Sequence, residues 1–220
     1  MQRGKFITFE GIEGVGKSTN IDFLAGLIEA HGHTVMKTRE PGGTPIAEDI
    51  RSILKEHGDE PLPDVAELLL MFAARSINVN NAIRPALDDG TWVISDRFTD
   101  STRAYQGGGR GFPRDNIEWL ARIVHGDLQP DLTILLDAPV ETAMQRADRR
   151  GELDRFEIEK ADFFSRVRQA YLDLAAAEPG RFEVVDCSRE LVAVQAEISE
   201  IAATLLADNY HQVIHITNCY

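Results

Sequence analysis

"FEGIEGVGKST", Phe9–Thr19, is the stretch on which the fold turns. Gly11, Gly16, Lys17 and Ser18 match the spacing G-x-x-x-x-G-K-[ST]. The apolar run "KFITFE" (Lys5–Glu10) precedes the match, and the helical pattern "KSTNIDFLAGLIEAHG" follows it. A strand before and a helix after is the setting in which this motif binds phosphate. The glycines let backbone N–H groups turn inward toward phosphate oxygens. A helix starting at Lys17 adds its positive end. Lys17 can reach β- and γ-phosphates, and the Ser18 hydroxyl can hold Mg²⁺. The motif therefore implies a nucleoside triphosphate. It leaves one oddity: Glu13 puts a negative charge inside a loop built for anions.

Apolar runs and helical patterns alternate outward from this loop. Ile21, Leu24, Ala25 and Ile28 share one helical face, and Gly32 stops that helix. "HTVMKTRE" (His33–Glu40), "TWVISD" (Thr91–Asp96), "DLTILLDA" (Asp131–Ala138) and "RFEVVDCS" (Arg181–Ser188) read as further strands. Helices are expected over Pro45–Glu56, from Asp64 to about Leu87, over Arg114–Gly126, from near Pro139, over about Glu157–Ala177 and over Leu191–Ala207. "QGGGRGFP" reads as a glycine-rich loop. Strands alternating with helices imply an α/β fold with a five-stranded parallel sheet covered on both faces. The binding cleft then lies at the strands' carboxyl ends. The expected organisation is one domain over residues 1–208, with 209–220 a tail that departs from the helical pattern.

Composition narrows the function. The chain has 220 residues, 43% hydrophobic and 27% charged, with a formal net charge of -13. That balance argues against a general nucleic-acid surface, which needs clustered Lys and Arg. No segment is apolar enough for a signal peptide or a membrane span. Cys187 and Cys219 form no CxxC pair, and His31 and His33 read as surface residues rather than zinc ligands. The cysteine usage fits a reducing cytoplasm.

The sequence shows no NKxD guanine-reading motif, which weakens a GTPase reading. "WVISDRF" ends a strand in Asp96–Arg97. Asp96 is placed to act on Mg²⁺, directly or through water, and Arg97 to hold a second anion; the alternative is a solvated turn. Arginines recur at the carboxyl-end segments: Arg39, Arg51, Arg75, Arg149, Arg150 and Arg155. One triphosphate does not need so many, whereas a second phosphorylated substrate does.

With "TREPGGTPIAEDIR", "LLLMFAAR", "DRFTDSTRAYQGGGRG" and "RGELDRFE" added to the opening stretch, the chain resembles the thymidylate kinases from about Phe6 to about Ser188. The resemblance implies a P-loop nucleoside-monophosphate kinase fold, usually a homodimer, that uses ATP and Mg²⁺ to phosphorylate dTMP. It assigns ATP to Gly11, Ile12, Glu13, Gly14, Val15, Gly16, Lys17, Ser18, Thr19 and Arg146, and the metal to Ser18 and Asp96. Arg39, Arg51 and Arg97 match the positions that surround the dTMP phosphate, and Pro41 would wall the sugar. Arg75 would donate to thymine O4. Phe72 would stack on the base or be a core residue; many relatives carry the aromatic where this chain has Met71. Thr102 and Gln106 would contact the base, and Tyr105 would crowd the sugar 2′ position. "RADRRGELDR" resembles a lid over ATP at about 146–156, with Arg150 and Arg155 joining Lys17, Asp96 and Arg97 in catalysis; otherwise it is a solvated helix face. Some relatives carry an arginine where this chain has Gly14, so the lid would supply that charge. By the same resemblance Glu13 would meet the dTMP 3′-hydroxyl. Two rival readings are a kinase for another pyrimidine nucleotide and an ATP-binding switch without phosphoryl transfer.

Overall fold

The computed structural model describes residues 3–55, 61–148 and 161–217, with side chains through 207. Five strands form one parallel sheet: β1 (Phe6–Glu10), β2 (Val35–Arg39), β3 (Trp92–Asp96), β4 (Leu132–Asp137) and β5 (Phe182–Asp186), in the order β2-β3-β1-β4-β5. The helices are α1 (Lys17–Ala30), α2 (Pro45–Lys55), α3 (Asp64–Asn78), α4 (Arg84–Asp88), α5 (Thr99–Thr102), α6 (Arg114–His125), α7 (Val140–Asp148), α8 (Ala161–Ala177) and α9 (Leu191–Thr217).

β1 is central and buried at every residue, so its side chains feed both faces. Ile7 and Phe9 enter the larger core with residues of α1, α8 and α9, while Phe6 faces a second cluster with Val79, Ile83, Val93 and Phe98. Burial of each such large side chain contributes about 1.5–3 kcal/mol. Thr8 and Thr133 satisfy each other inside the sheet at 2.9 Å. After β1 the chain crosses over β3 to reach β2, and after β3 it crosses over β1 to reach β4. These opposite departures open a crevice at the carboxyl ends, where α/β sheets bind ligands. Register brings Phe9, Arg39 and Asp96 level there.

Three segments differ from the sequence expectation. The helix expected from Asp64 to Leu87 is α3 and α4 joined by a π-helical turn, Val79–Ile83. The start of the glycine-rich "loop" is helical too: Arg103–Gly109 forms a second π-helical turn. Its glycines allow close packing, since a Cβ on Gly108 would sit 2.4 Å from the Ala170 Cβ of α8. Finally, α9 continues to Thr217 and takes in most of the expected tail. Val213, Ile214 and Ile216 are β-branched residue types, which disfavour helix only weakly, by a fraction of a kcal/mol each.

Candidate active site

The loop between β1 and α1 wraps the start of that helix. Gly16 precedes it in the left-handed region (φ 91°), and no side chain caps the first turn. The open N–H groups at that end form a ready anion site. Lys17 Nζ donates to the carbonyls of Gly11 (3.2 Å) and Ile12 (3.0 Å), so it already lies along the loop. Burial and the neighbouring Arg97 pull its pKa down to about 8, against the opposing pull of Asp96 and Glu13. The cleft here is lined by Glu13, Gly14, Gly16, Lys17, Ser18, Thr19, Arg39, Arg51, Lys55, Asp96, Arg97 and Arg146. Six of those are cations and two are acids, which suits a polyanion. Arg146 is fixed by donating to the Cys187 carbonyl at 2.7 Å. The Ile12 and Val15 side chains are buried and anchor the loop.

Gly14 rejects any side chain. Its φ is +82°, and an added Cβ would lie 1.9 Å from the Ala143 carbonyl oxygen of α7. An arginine at this position would need α7 to move. Arg150 and Arg155, the sequence candidates, lie outside the described residues, as do Arg149 and most of the expected lid.

Asp96 ends β3 beside Ser18 in the same cleft. Its Oδ1 is buried and makes no hydrogen bond within the described residues. A buried carboxylate oxygen without a donor costs free energy unless a ligand or cation meets it. That orphaned oxygen fits Mg²⁺. No group of three His, Cys, Asp or Glu among the described residues could hold a metal.

A second pocket opens off the first. It is lined by Glu13, Glu40, Pro41, Arg51, Lys55, Met71, Arg75, Arg97, Ser101, Thr102, Tyr105 and Gln106. Glu13, Arg51, Lys55 and Arg97 line both. Arg97 sits at the junction with a left-handed backbone (φ 74°), held because its N–H donates to the Phe9 carbonyl at 2.9 Å. Its guanidinium donates to Glu13 Oε1 (2.7 Å), Ser101 Oγ (3.0 Å), Tyr105 Oη (3.0 Å) and Tyr171 Oη (3.1 Å). Tyr105 Oη donates in turn to Glu13 Oε2 at 2.5 Å. Burial pushes the Glu13 carboxyl up, but Arg97, Lys17 and Tyr105 outweigh it and leave it below the ordinary range. Glu13 is thus a carboxylate that orients the cation at the junction. Arg39 lines the first cleft and is gripped by Glu48 through two bonds of 3.0 and 2.8 Å. Arg51 donates to the Pro41 carbonyl at 2.8 Å.

The inner end of the second pocket is built on α3. Arg75 is buried, with Nε on Glu40 Oε2 (2.6 Å), Nη1 on Thr102 Oγ1 (3.1 Å) and Nη2 on the Phe98 carbonyl (3.1 Å). Breaking such a buried pair by removing one partner costs about 3–5 kcal/mol. Phe72 is a correction: it does not line the pocket but packs against Leu68, Ile117 and Ala121. Met71 and Phe72, four and three residues before Arg75, both neighbour it, and the Arg75 guanidinium lies 4.9 Å over the Phe72 ring. Phe72 turns toward Ile117 and Ala121 of α6, which leaves Met71 to line the pocket.

Several site residues escaped the sequence reading. Glu10, buried at the end of β1, accepts from the Phe98 N–H, Ser101 Oγ and Tyr171 Oη, the hydroxyls that hold Arg97. Burial raises its pKa to about 7, helped by Asp100 and opposed by Arg97. An acid closing an apolar strand was the available signal for Glu10. Nothing in the pattern of α8 marks Tyr171.

The match to known proteins decides the family. The family model for thymidylate kinase covers residues 9–198. The chain belongs to the thymidylate kinase family. Relatives in that family include the thymidylate kinase of Chromohalobacter salexigens, 56% identical over 201 residues, covering 90% of this chain and 95% of that one. The thymidylate kinase of Pseudomonas syringae pv. tomato is 52% identical over 203 residues, covering 92% and 97%. The crystal structure of thymidylate kinase from Ehrlichia chaffeensis superposes with a TM-score of 0.73 at 33% identity, covering 90% of this chain and 98% of that one. The family's P-loop nucleoside-monophosphate kinase fold is the one described above.

Proposed function

We propose that the protein transfers the γ-phosphate of ATP to dTMP, giving ADP and dTDP. The observation that carries this reading is the pair of clefts sharing Glu13, Arg51, Lys55 and Arg97. One cleft holds the phosphate loop; the other has the apolar and polar lining of a nucleobase pocket. A single-nucleotide switch has no use for the second.

A dTMP phosphate oxygen forms the new bond to the γ-phosphorus as the bond to the ADP oxygen breaks. The second pKa of a phosphate monoester is about 6, so the attacking group is already mostly a dianion at neutral pH. No general base is needed. The barrier lies in bringing two polyanions together, so positioning and positive charge do most of the work. Lys17 and the N-terminus of α1 hold the triphosphate. Arg97, oriented by Glu13 and Tyr105, faces both nucleotides, and Arg51 lies on the same boundary. Ser18 and Asp96 would hold Mg²⁺, which neutralises charge on the phosphate oxygens. Arg39 and Pro41 would border the dTMP phosphate and sugar, Arg75, Thr102 and Gln106 would read the base, and Arg150 and Arg155 would close over ATP. A coupled ADP-release assay across dTMP, dUMP, UMP and dCMP tests the substrate, with dTMP expected to give the highest kcat/KM. A higher value for another nucleotide contradicts the reading.

We further propose a homodimer in the cytoplasm. Ile46 and Ile53 on α2, Val65 and Leu69 on α3, and Trp119 and Ile123 on α6 are each more than half exposed. α3 packs on both α2 and α6, so the three helices that carry these side chains are neighbours. Such an apolar surface favours a partner, and a second copy of the chain fits the family. Sedimentation should return twice the 24.5 kDa chain mass; a monomer at micromolar concentration removes the dimer. No helix among the described residues is long and apolar enough to cross a membrane, and the described cysteine, Cys187, is a buried free thiol. Recovery in the membrane fraction of lysed cells would contradict the cytoplasmic assignment.

A further inference from the structure

We propose that Glu67 sets the base preference of the pocket by fixing which end of the Gln106 amide faces the base. This rests on the dTMP reading above and names a positioning residue for it. Glu67, Met71 and Arg75 recur every four residues along α3, so they form one stripe toward the second pocket. Met71 and Arg75 line that pocket, whereas Glu67 is fully buried behind it.

Glu67 Oε1 accepts from Gln106 Nε2 at 2.7 Å and from Arg110 Nε at 2.9 Å. A carboxylate oxygen offers only lone pairs, so the amide must turn its NH₂ toward Glu67. Its carbonyl, Oε1, then has no hydrogen-bond partner among the described residues, on a side chain that lines the pocket. The backbone cannot easily undo this choice. Gln106 lies in the π-helical turn Arg103–Gly109, whose Gly108 and Gly109 are pressed against Ala170 and Phe163.

An acceptor therefore faces the base. It can take the N3–H of thymine, and it meets the N3 lone pair of cytosine with repulsion. Sites that hydrogen-bond a substrate N–H reject analogues lacking it strongly, because a buried polar group is left unpaired. Without Glu67 the amide could turn over and offer its NH₂ to cytosine N3.

The test is kcat/KM for dTMP and for dCMP in Glu67→Gln, Glu67→Asp and Gln106→Met, alongside the wild type. Glu67→Gln keeps the shape but can donate as well as accept, so the dTMP:dCMP ratio should fall about tenfold or more, chiefly through KM for dTMP. Glu67→Asp retains an acceptor and should keep more of the ratio. Gln106→Met removes the amide while leaving Glu67 and Arg110 paired, and should also lose the ratio. An unchanged ratio in Glu67→Gln, or in Gln106→Met should the first variant not fold, overturns the inference while dTMP turnover by the wild type still stands. A wild type inactive on dTMP overturns the function and this inference together.

Discussion

Arg97→Ala is expected to lower kcat by about 10³–10⁵, the range seen when an arginine acting on a transferring phosphoryl group is lost. Arg97 borders both clefts, and its guanidinium is held there by Glu13, Ser101, Tyr105 and Tyr171. Charge that builds up as the γ-phosphoryl passes between nucleotides would therefore meet a cation already held at the boundary. The same substitution removes the guanidinium partner of Glu13 and should cost up to about 3–5 kcal/mol in stability, less where water can reach the carboxylate. The two effects separate. Thermal denaturation reads the stability loss, and kcat at saturating substrate, well below the melting temperature, reads the chemistry. A folded Arg97→Ala variant within tenfold of wild-type kcat would remove Arg97 from catalysis.

Lys17→Ala should cost about 10²–10³ in kcat, the usual penalty for deleting one preorganised donor at a developing charge. Its pH signature distinguishes it from Arg97. Burial, with Arg97 nearby, brings the Lys17 pKa in the free protein down to about 8. The ammonium is thus present below about pH 8 and lost above it, so ATP affinity in the wild type should weaken as pH rises from 7 to 9. Bound ATP favours the charged form, so the fall starts in the free protein and is delayed in the complex. Lys17→Ala should bind ATP more weakly at pH 7 and show little further change to pH 9. Titrations by isothermal calorimetry at the two pH values check this; a wild-type affinity flat across the range would contradict the assigned role.

Much of this site was legible in the sequence because its strongest parts are local. The phosphate loop needs only a strand, glycines, Lys17 and a helix, all contiguous. Asp96 and Arg97 could be placed because they end an apolar strand, and the parallel sheet follows from strands separated by helices. What escaped depends on distant partners. Glu10 meets Tyr171 across 161 positions, and Glu67 meets Gln106 across 39, spans over which periodicity carries no information. Phe72 and Met71 are the middle case. Both lie within one helical turn of Arg75, so spacing alone left Phe72 as either a stacking or a core residue. In the structure α6 presents Ile117 and Ala121 to Phe72, a partner far along the chain. The glycine run was read as a loop because glycine disfavours helix by about 1 kcal/mol per residue. The close approach of α8 outweighs that preference at Gly108 and Gly109.

The most direct measurement follows the phosphate itself. ATP labelled at the γ-position is incubated with dTMP, Mg²⁺ and the purified protein, and the products are separated by chromatography. The account predicts label in dTDP, in amounts matching the ADP formed and dependent on dTMP. Label released only as inorganic phosphate, or retained in ATP despite binding, would contradict it.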